Sequence, residues 1–375
     1  MLDLNRQYAP LRAEIREAIE RVVASHQFIL GPEVEALERE VAAFCGAKEA
    51  VGCASGTDAL WLVLAAAGVQ PGDLVITTPF SFFASASAIA RAGARPVLLD
   101  IDPRTFNLDP EAVARYLAPG KPHNLKAILP VHLYGQCVDI DAFARLGTEF
   151  QLSILEDAAQ AIGAAWRGHR AGSLGLAAAF SFYPTKNLSA AGDAGIVTTN
   201  DPEVAAHMRR LRNHGSPRRY LHEELGWNAR LDGIQAAILR VKLPHLERWN
   251  AQRRERAADY DRLFTQTGLI SADGSGPVRT PSVSPHASHV FHQYVIRARR
   301  RDALREFLST RKIGSEIYYP LPLHLQPAFA YLGYREGDLP ESELAAREVL
   351  ALPMFPELTG SEQQWVVESI AEFYS

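Results

Sequence analysis

The chain has 375 residues, 47% of them hydrophobic and 22% charged. That is the composition of a water-soluble globular protein long enough for two domains. A net charge of -4 leaves no basic surplus for nucleic acid or an anionic membrane, so neither is an expected partner. Three cysteines (Cys45, Cys53, Cys137) form no CxxC pair and suit a reducing cytoplasm, Met1–Arg6 lacks a signal-peptide core, and no apolar run approaches the ~18 residues of a membrane span.

Leu11, Ile15, Ile19 and Val22 recur at helical spacing and predict a helix over 9–24. A second is predicted over 32–44, opened by Pro32. From 50 to 200 short apolar runs alternate with helical stretches. Strands are predicted at Ala50–Cys53, Leu74–Thr77, Pro96–Leu99, Ala127–Val131, Ser153–Leu155, Ala178–Phe182 and Gly195–Thr198. Helices are predicted near 58–67, 84–92, 110–117, 140–147 and 202–212. This alternation implies an α/β domain with a mostly parallel sheet covered by helices on both faces. A long helical pattern over 232–264 contains Pro244, which predicts a break there. Residues 267–288, rich in Gly, Ser and Pro, read as a loop. A strand at Val290–Ala298, a helix at Arg301–Lys312, a strand at Ser315–Tyr319 and helices near 341–351 and 361–373 follow. Thr359 with Glu362 forms a capping-box signature for the last helix. The expected organisation is a large α/β domain over 1–245 and a smaller α+β domain over 246–375.

Ligands of such sheets bind beyond the carboxyl ends of the strands, and four motifs lie there. Ser55-Gly56-Thr57-Asp58 follows the first strand and opens a helix; its free amides and hydroxyls suit an anion, although the same residues serve as an ordinary N-cap. Phe80-Ser81-Phe82-Phe83-Ala84 offers an aromatic that stacks on a flat ring or fills the core. Glu156-Asp157-Ala158-Ala159-Gln160 supplies a strand-end acid that either caps a helix or keeps a pyridine nitrogen protonated. Ser181-Phe182-Tyr183-Pro184-Thr185-Lys186-Asn187 places one lysine at a strand mouth in an uncharged setting, where desolvation turns it into an amine nucleophile. An anion cradle, a stacking aromatic, an aspartate and a lysine are together what pyridoxal phosphate needs, with Lys186 holding it as a Schiff base. Other motifs fail. There is no GxxxxGK[ST], GxGxxG or GxSxG, and His222-Glu223-Glu224 lacks a second metalloprotease histidine. His286, His289 and His292 enter a strand at a spacing that faces opposite sides, so no metal is expected there.

Over essentially its whole length the sequence resembles the DegT/DnrJ/EryC1/StrS family of sugar-nucleotide aminotransferases, which have the fold type I architecture. The resemblance runs from Asp3-Leu4 and Ile29-Leu30-Gly31-Pro32-Glu33-Val34 through the three motifs at 54–60, 156–160 and 181–188. It continues to Asn228-Ala229-Arg230-Leu231-Asp232 and Leu323-His324-Leu325-Gln326-Pro327-Ala328. It implies that Gly56, Thr57 and Ser181 hold the cofactor phosphate, that Phe82 stacks on the ring, that Asp157 pairs with the ring nitrogen and that Gln160 bonds the ring hydroxyl. Asn228 would reach the phosphate from the other subunit of a homodimer with shared active sites. Tyr318, Tyr319, His324 and Arg230 would face the substrate.

The resemblance further implies L-glutamate as amino donor, pyridoxamine phosphate as the aminated cofactor, and a nucleotide-linked keto sugar as acceptor. The run Tyr319–Pro327 resembles the subgroup that aminates a 3-keto hexose; a 4-keto-6-deoxy sugar is the alternative. Two departures stand out. Related 3-aminotransferases often have His-Tyr where this chain has Tyr318-Tyr319, and the loop Leu188–Asp193 is bulkier than the family's usual glycine-rich one. Family dehydratases carry His in place of the lysine, so Lys186 argues for transamination. The readings outside this class are a non-catalytic regulator that kept the fold and a fold type I lyase.

Overall fold

The computed structural model describes residues 1–271 and 275–375. Helices α1 (Arg12–Ser25) and α2 (Pro32–Cys45) precede the first strand, where the periodicity places them. α1 buries Ile15, Ala18 and Val22, and α2 buries Val34, Leu37 and Val41. α2 begins on Pro32 and ends on Gly46, whose left-handed φ of 73° closes it.

Strand β1 (Glu49–Cys53) and helix α3 (Gly56–Ala66) open an alternation that continues through β2 (Leu74–Thr77), α4 (Ala84–Arg91), β3 (Arg95–Leu98) and α5 (Pro110–Leu117). It proceeds through β4 (Leu125–Ile128), α6 (Ile140–Phe150), β5 (Ser153–Asp157), β6 (Ala177–Ser181), β7 (Gly195–Thr199) and α7 (Pro202–Leu211). The seven strands form one sheet in the order β1-β7-β6-β5-β4-β2-β3. β6 through β3 pair in parallel, while β7 lies antiparallel between β1 and β6. One face packs on Leu37, Val41, Phe143 and Phe180, the other on Leu60, Leu62, Val63 and Val197. Covered on both faces, the strands are apolar throughout rather than alternating. Strand β6 has the sequence Ala-Ala-Ala-Phe-Ser, its three alanines the best of helix formers yet made extended by their place mid-sheet against α3.

The helical pattern over 232–264 breaks at Pro244. Helix α8 (Gly233–Lys242) stops, a 3-10 turn spans Leu243–His245, and α9 (Leu246–Thr267) continues. α1 packs on α8 through Ala18, Val22 and Ala237. A second core gathers Tyr260 and Phe264 of α9, the strands β8 (Tyr294–Ala298) and β9 (Val349–Leu352), and the helices α10 (Arg301–Thr310) and α12 (Gly360–Tyr374). With Val278–Arg279, β8 and β9 make a three-stranded antiparallel sheet. The capping box opens α12: Thr359 Oγ1 accepts from the Glu362 amide at 3.3 Å, and Glu362 accepts from the Thr359 amide at 2.8 Å.

Three expectations change here. The helix near 341–351 ends at Glu348 as α11 (Pro340–Glu348), because Val349–Leu352 leaves it to pair with β8. The strand at Ser315–Tyr319 reduces to a single bridge between Glu316 and Ala351. The 267–288 loop contains paired pieces at Val278–Arg279 and Ala287–Ser288, the latter against Ala165–Trp166; its residues 272–274 lie outside the described residues. No described helix is long and apolar enough to cross a membrane.

Candidate active site

A cavity of about 600 Å³ opens beyond the carboxyl ends of β1, β5 and β6. Helix α3 starts there directly after β1. Ser55 caps it, accepting from the Asp58 amide at 3.1 Å and donating to Asp58 Oδ2 at 2.9 Å. The first-turn amides of Gly56 and Thr57 have no partner inside the helix, and the helix dipole adds positive potential where they line the cavity. A Cβ at Gly56 would sit 2.5 Å from Ser181 Cβ, and one at Gly195 would sit 2.3 Å from the Ser55 carbonyl oxygen. So the close approach that Gly56 permits is to Ser181 at the end of β6, which brings that hydroxyl beside the helix N-terminus.

Strand β5 ends on two acids with opposite fates. Glu156 is fully buried. It accepts from the amides of Gly172, Leu174 and Gly175, each at 2.9 Å, and faces His132 Nε2 at 3.0 Å. His132 Nδ1 accepts from the Val138 amide, so Nε2 carries the hydrogen and donates to Glu156. Asp157 alternates to the cavity side and lines it. Its Oδ2 accepts from Ser85 Oγ at 2.7 Å and its Oδ1 from the Ala159 amide at 3.2 Å. Burial pushes this carboxyl above its usual range; the Ser85 and Ala159 bonds and the nearby Lys186 and His132 pull it back.

Lys186 lies on the loop after β6, partly buried and lining the same cavity. Desolvation lowers its pKa to about 8, against the opposing pull of Asp157, so a usable fraction is neutral amine near physiological pH. Its loop is pinned on both sides. The Lys186 amide donates to Tyr183 O at 2.8 Å, Asn187 Nδ2 donates to Asn250 Oδ1 at 2.8 Å, and Lys242 Nζ donates to Ser189 O at 2.7 Å. Lys242 is equally depressed, to about 8, but it is spent on Ser189 and lies outside the cavity.

The opposite wall is aromatic. Phe82, 59% exposed, is 6.4 Å from Tyr319 between ring centroids. Tyr318 and Tyr319 line the cavity, and the Tyr134 hydroxyl donates to the Tyr318 carbonyl. Gln160 joins the two walls: its Oε1 accepts from the Tyr134 amide at 2.7 Å and its Nε2 donates to Tyr319 Oη at 3.1 Å.

The cavity thus gathers Ser55, Gly56, Thr57, Phe82, Asp157, Gln160, Ser181, Lys186, Tyr318 and Tyr319. It does not gather three others. His324, expected to face the substrate, is 2% exposed and held by Glu343 Oε1 at 3.1 Å from its Nε2, because α11 brings that acid under it. Asn228 is exposed and bridges to Asn213, and Arg230 Nη1 donates to Asn213 Oδ1 at 3.1 Å. Ser85 and Gln293, which no sequence reading named, and His292, weighed there only as a rejected metal ligand, also line the cavity. His292 is neutral, since burial drives it far below its usual range, and it meets Asn187 Oδ1 through Nδ1 at 3.2 Å. Its histidine neighbours go elsewhere: His286 lies on Trp166 and His289 stacks on Phe291.

Known proteins resemble this chain throughout. The DegT/DnrJ/EryC1/StrS aminotransferase family matches residues 10–371. The "pleiotropic regulatory protein" of Geobacillus stearothermophilus is 54% identical over 374 residues, 100% of this chain and 98% of that one. The "dTDP-3-amino-3,4,6-trideoxy-alpha-D-glucose transaminase" of Streptomyces venezuelae is 44% identical over 373 residues, 99% and 95% of the two chains. A crystal structure of S. venezuelae DesV in complex with a ketimine intermediate has a TM-score of 0.94 at 43% identity, covering 99% of this chain and 97% of that one.

Proposed function

The chain belongs to the DegT/DnrJ/EryC1/StrS aminotransferase family, and from that premise we propose that it moves an amino group from L-glutamate to the ketone of a nucleotide-linked 3-keto hexose, using pyridoxal phosphate. One observation carries the reading: a depressed lysine and a buried aspartate enter one cavity from neighbouring strand ends, beside a glycine-opened helix N-terminus. That set fits the cofactor. Ser55, Gly56, Thr57 and Ser181 would hold its phosphate, Phe82 would cover its ring, Asp157 would pair with its ring nitrogen and Gln160 with its ring hydroxyl. When bound, the cofactor supplies an electron sink and carries the amino group. Lys186 would hold the cofactor and, as a free amine, would move the proton at the donor carbon as general base and acid. Tyr318 and Tyr319 would face the sugar.

The 3-keto choice draws support from the Streptomyces relative's name and from the Tyr319–Pro327 run; a 4-keto-6-deoxy sugar is the competing acceptor. Asn228, exposed and outside this cavity, and Arg230 beside it would serve the site of a second copy in a homodimer. A cytoplasmic location agrees with three buried, unpaired cysteines. The division at 245/246 follows the 3-10 turn at Pro244.

The holoenzyme, given glutamate and a 3-keto nucleotide sugar, should release 2-oxoglutarate. Turnover with a 4-keto sugar alone overturns the acceptor. A second reading, a non-catalytic regulator, is favoured by the Geobacillus relative's name. It requires that glutamate fail to bleach the cofactor's visible absorbance.

A further inference from the structure

Asp157 is held from behind by two hydroxyls to which the sequence motifs gave no role. Ser85 Oγ lies 2.7 Å from Asp157 Oδ2, and Ser81 Oγ lies 2.8 Å from Ser85 Oγ. Ser81 and Ser85 are 3% and 1% exposed, and both line the cavity. An ionised carboxylate only accepts, so the Ser85 hydrogen must point at Asp157. Ser85 then has only lone pairs left for Ser81, which must donate in turn. The ionised form of Asp157 thus enforces the proton order Ser81 to Ser85 to Asp157. A neutral carboxyl would itself be a donor and would compete for the Ser85 oxygen.

We propose that Ser85, backed by Ser81, is a positioning residue that holds Asp157 ionised and aimed at the cavity. This rests on the function proposed above, in which Asp157 faces the protonated ring nitrogen. The charged or titratable groups around Asp157 are Lys186 from the loop after β6, His132 from the loop after β4 and Tyr319 from the opposite wall. Only Ser85 reaches it through a side-chain hydrogen bond among the described residues. Desolvation works against the carboxylate, so the hydroxyl bond offsets part of that cost at the atom where the charge is needed. The bond is charge-assisted and fixes the side-chain torsion of Asp157, leaving its remaining lone pairs toward the cavity.

The test uses the pyridoxal-phosphate-loaded enzyme and reads two quantities. The first is the pH midpoint of the cofactor's visible absorbance. The second is kcat against KM for the nucleotide sugar. Removing the bond in Ser85→Ala should raise the midpoint by about half a pH unit to one unit, because a ring with less positive charge holds its other proton more tightly. It should lower kcat about tenfold and leave KM within about twofold. Ser85→Thr keeps the hydroxyl and should restore the midpoint. Ser81→Ala cuts only the outer link and should shift it less, in the same direction. A Ser85→Ala midpoint equal to the wild type overturns the proposal whatever happens to kcat. Should Ser85→Ala not fold, Ser81→Ala decides: a raised midpoint supports the relay and an unchanged one overturns it. Failure of the parent function is read separately, as wild-type absorbance that glutamate does not bleach. The variants' pH midpoints can be measured in either case.

Discussion

The two walls of the cavity are built by different means. On the sheet side, every group arrives within a few residues of a strand end: Ser55 after β1, Asp157 closing β5, Ser181 closing β6 and Lys186 five residues on. Backbone ladders hold these positions, and register alone places Asp157 across from Ala179 of β6. On the facing side no ladder runs. Tyr318 and Tyr319 follow a segment with one isolated bridge, and what ties them down is the Tyr134 hydroxyl and the Gln160 amide. The groups proposed to move the proton, which such chemistry needs placed within a fraction of an ångström, are thus carried by the sheet. The groups proposed to face the substrate hang on side-chain bonds, which substitution can retune without disturbing the sheet.

This contrast can be broken experimentally, most severely at the lysine. Lys186→Ala should lower turnover by about a thousandfold or more while the fold persists, because it removes the proton carrier from the rigid wall. Normal turnover would show that the chemistry sits elsewhere. The same lysine gives a pH signature. With its pKa lowered to about 8, the neutral amine accumulates as pH rises through 8. Reductive trapping of Lys186 by a small aldehyde in the cofactor-free protein, followed by mass spectrometry, should therefore level off near pH 9. A rate still climbing toward pH 10.5 would mean an ordinary exposed lysine.

On the facing wall the expected effect is smaller and of another kind. Tyr319→Phe removes the acceptor of Gln160 Nε2 and should raise KM for the nucleotide sugar several-fold with kcat within about threefold. A kcat collapse would mean that this wall also serves the chemistry. Smallest in activity is His324→Gln. It disturbs a buried pair with Glu343, so it should lower stability in denaturant by about 1–3 kcal/mol and leave KM unchanged. A changed sugar preference would restore His324 to the site.

The sheet wall is readable because its signals are local: each motif directly follows a short apolar strand run, and at β1 a serine and a glycine then open a helix. β2 was predicted to the residue, and Pro244 announced its own break. The facing wall was not readable that way. His324 looks like a substrate residue until Glu343, nineteen residues later, folds under it. Val349–Leu352 is an apolar run that fits a helix as well as a strand, and only pairing with β8 decides it. Ser85 lies in an Ala-Ser-Ala-Ser stretch where nothing local separates a relay hydroxyl from a filler; the spacing of four from Ser81 was the one available hint.

The paired acids of β5 have a consequence for how the chain finds its register. Sliding β5 by one residue would exchange Glu156 and Asp157 between the two faces of the sheet. The amides of Gly172, Leu174 and Gly175 and the His132 ring would lose the acceptor that now serves them all. A misaligned strand would therefore leave four donors without this acceptor, two of them buried and two half-buried, a penalty of a few kcal/mol. The fully buried glutamate next to Asp157 thus favours the register in which Asp157 faces the cavity.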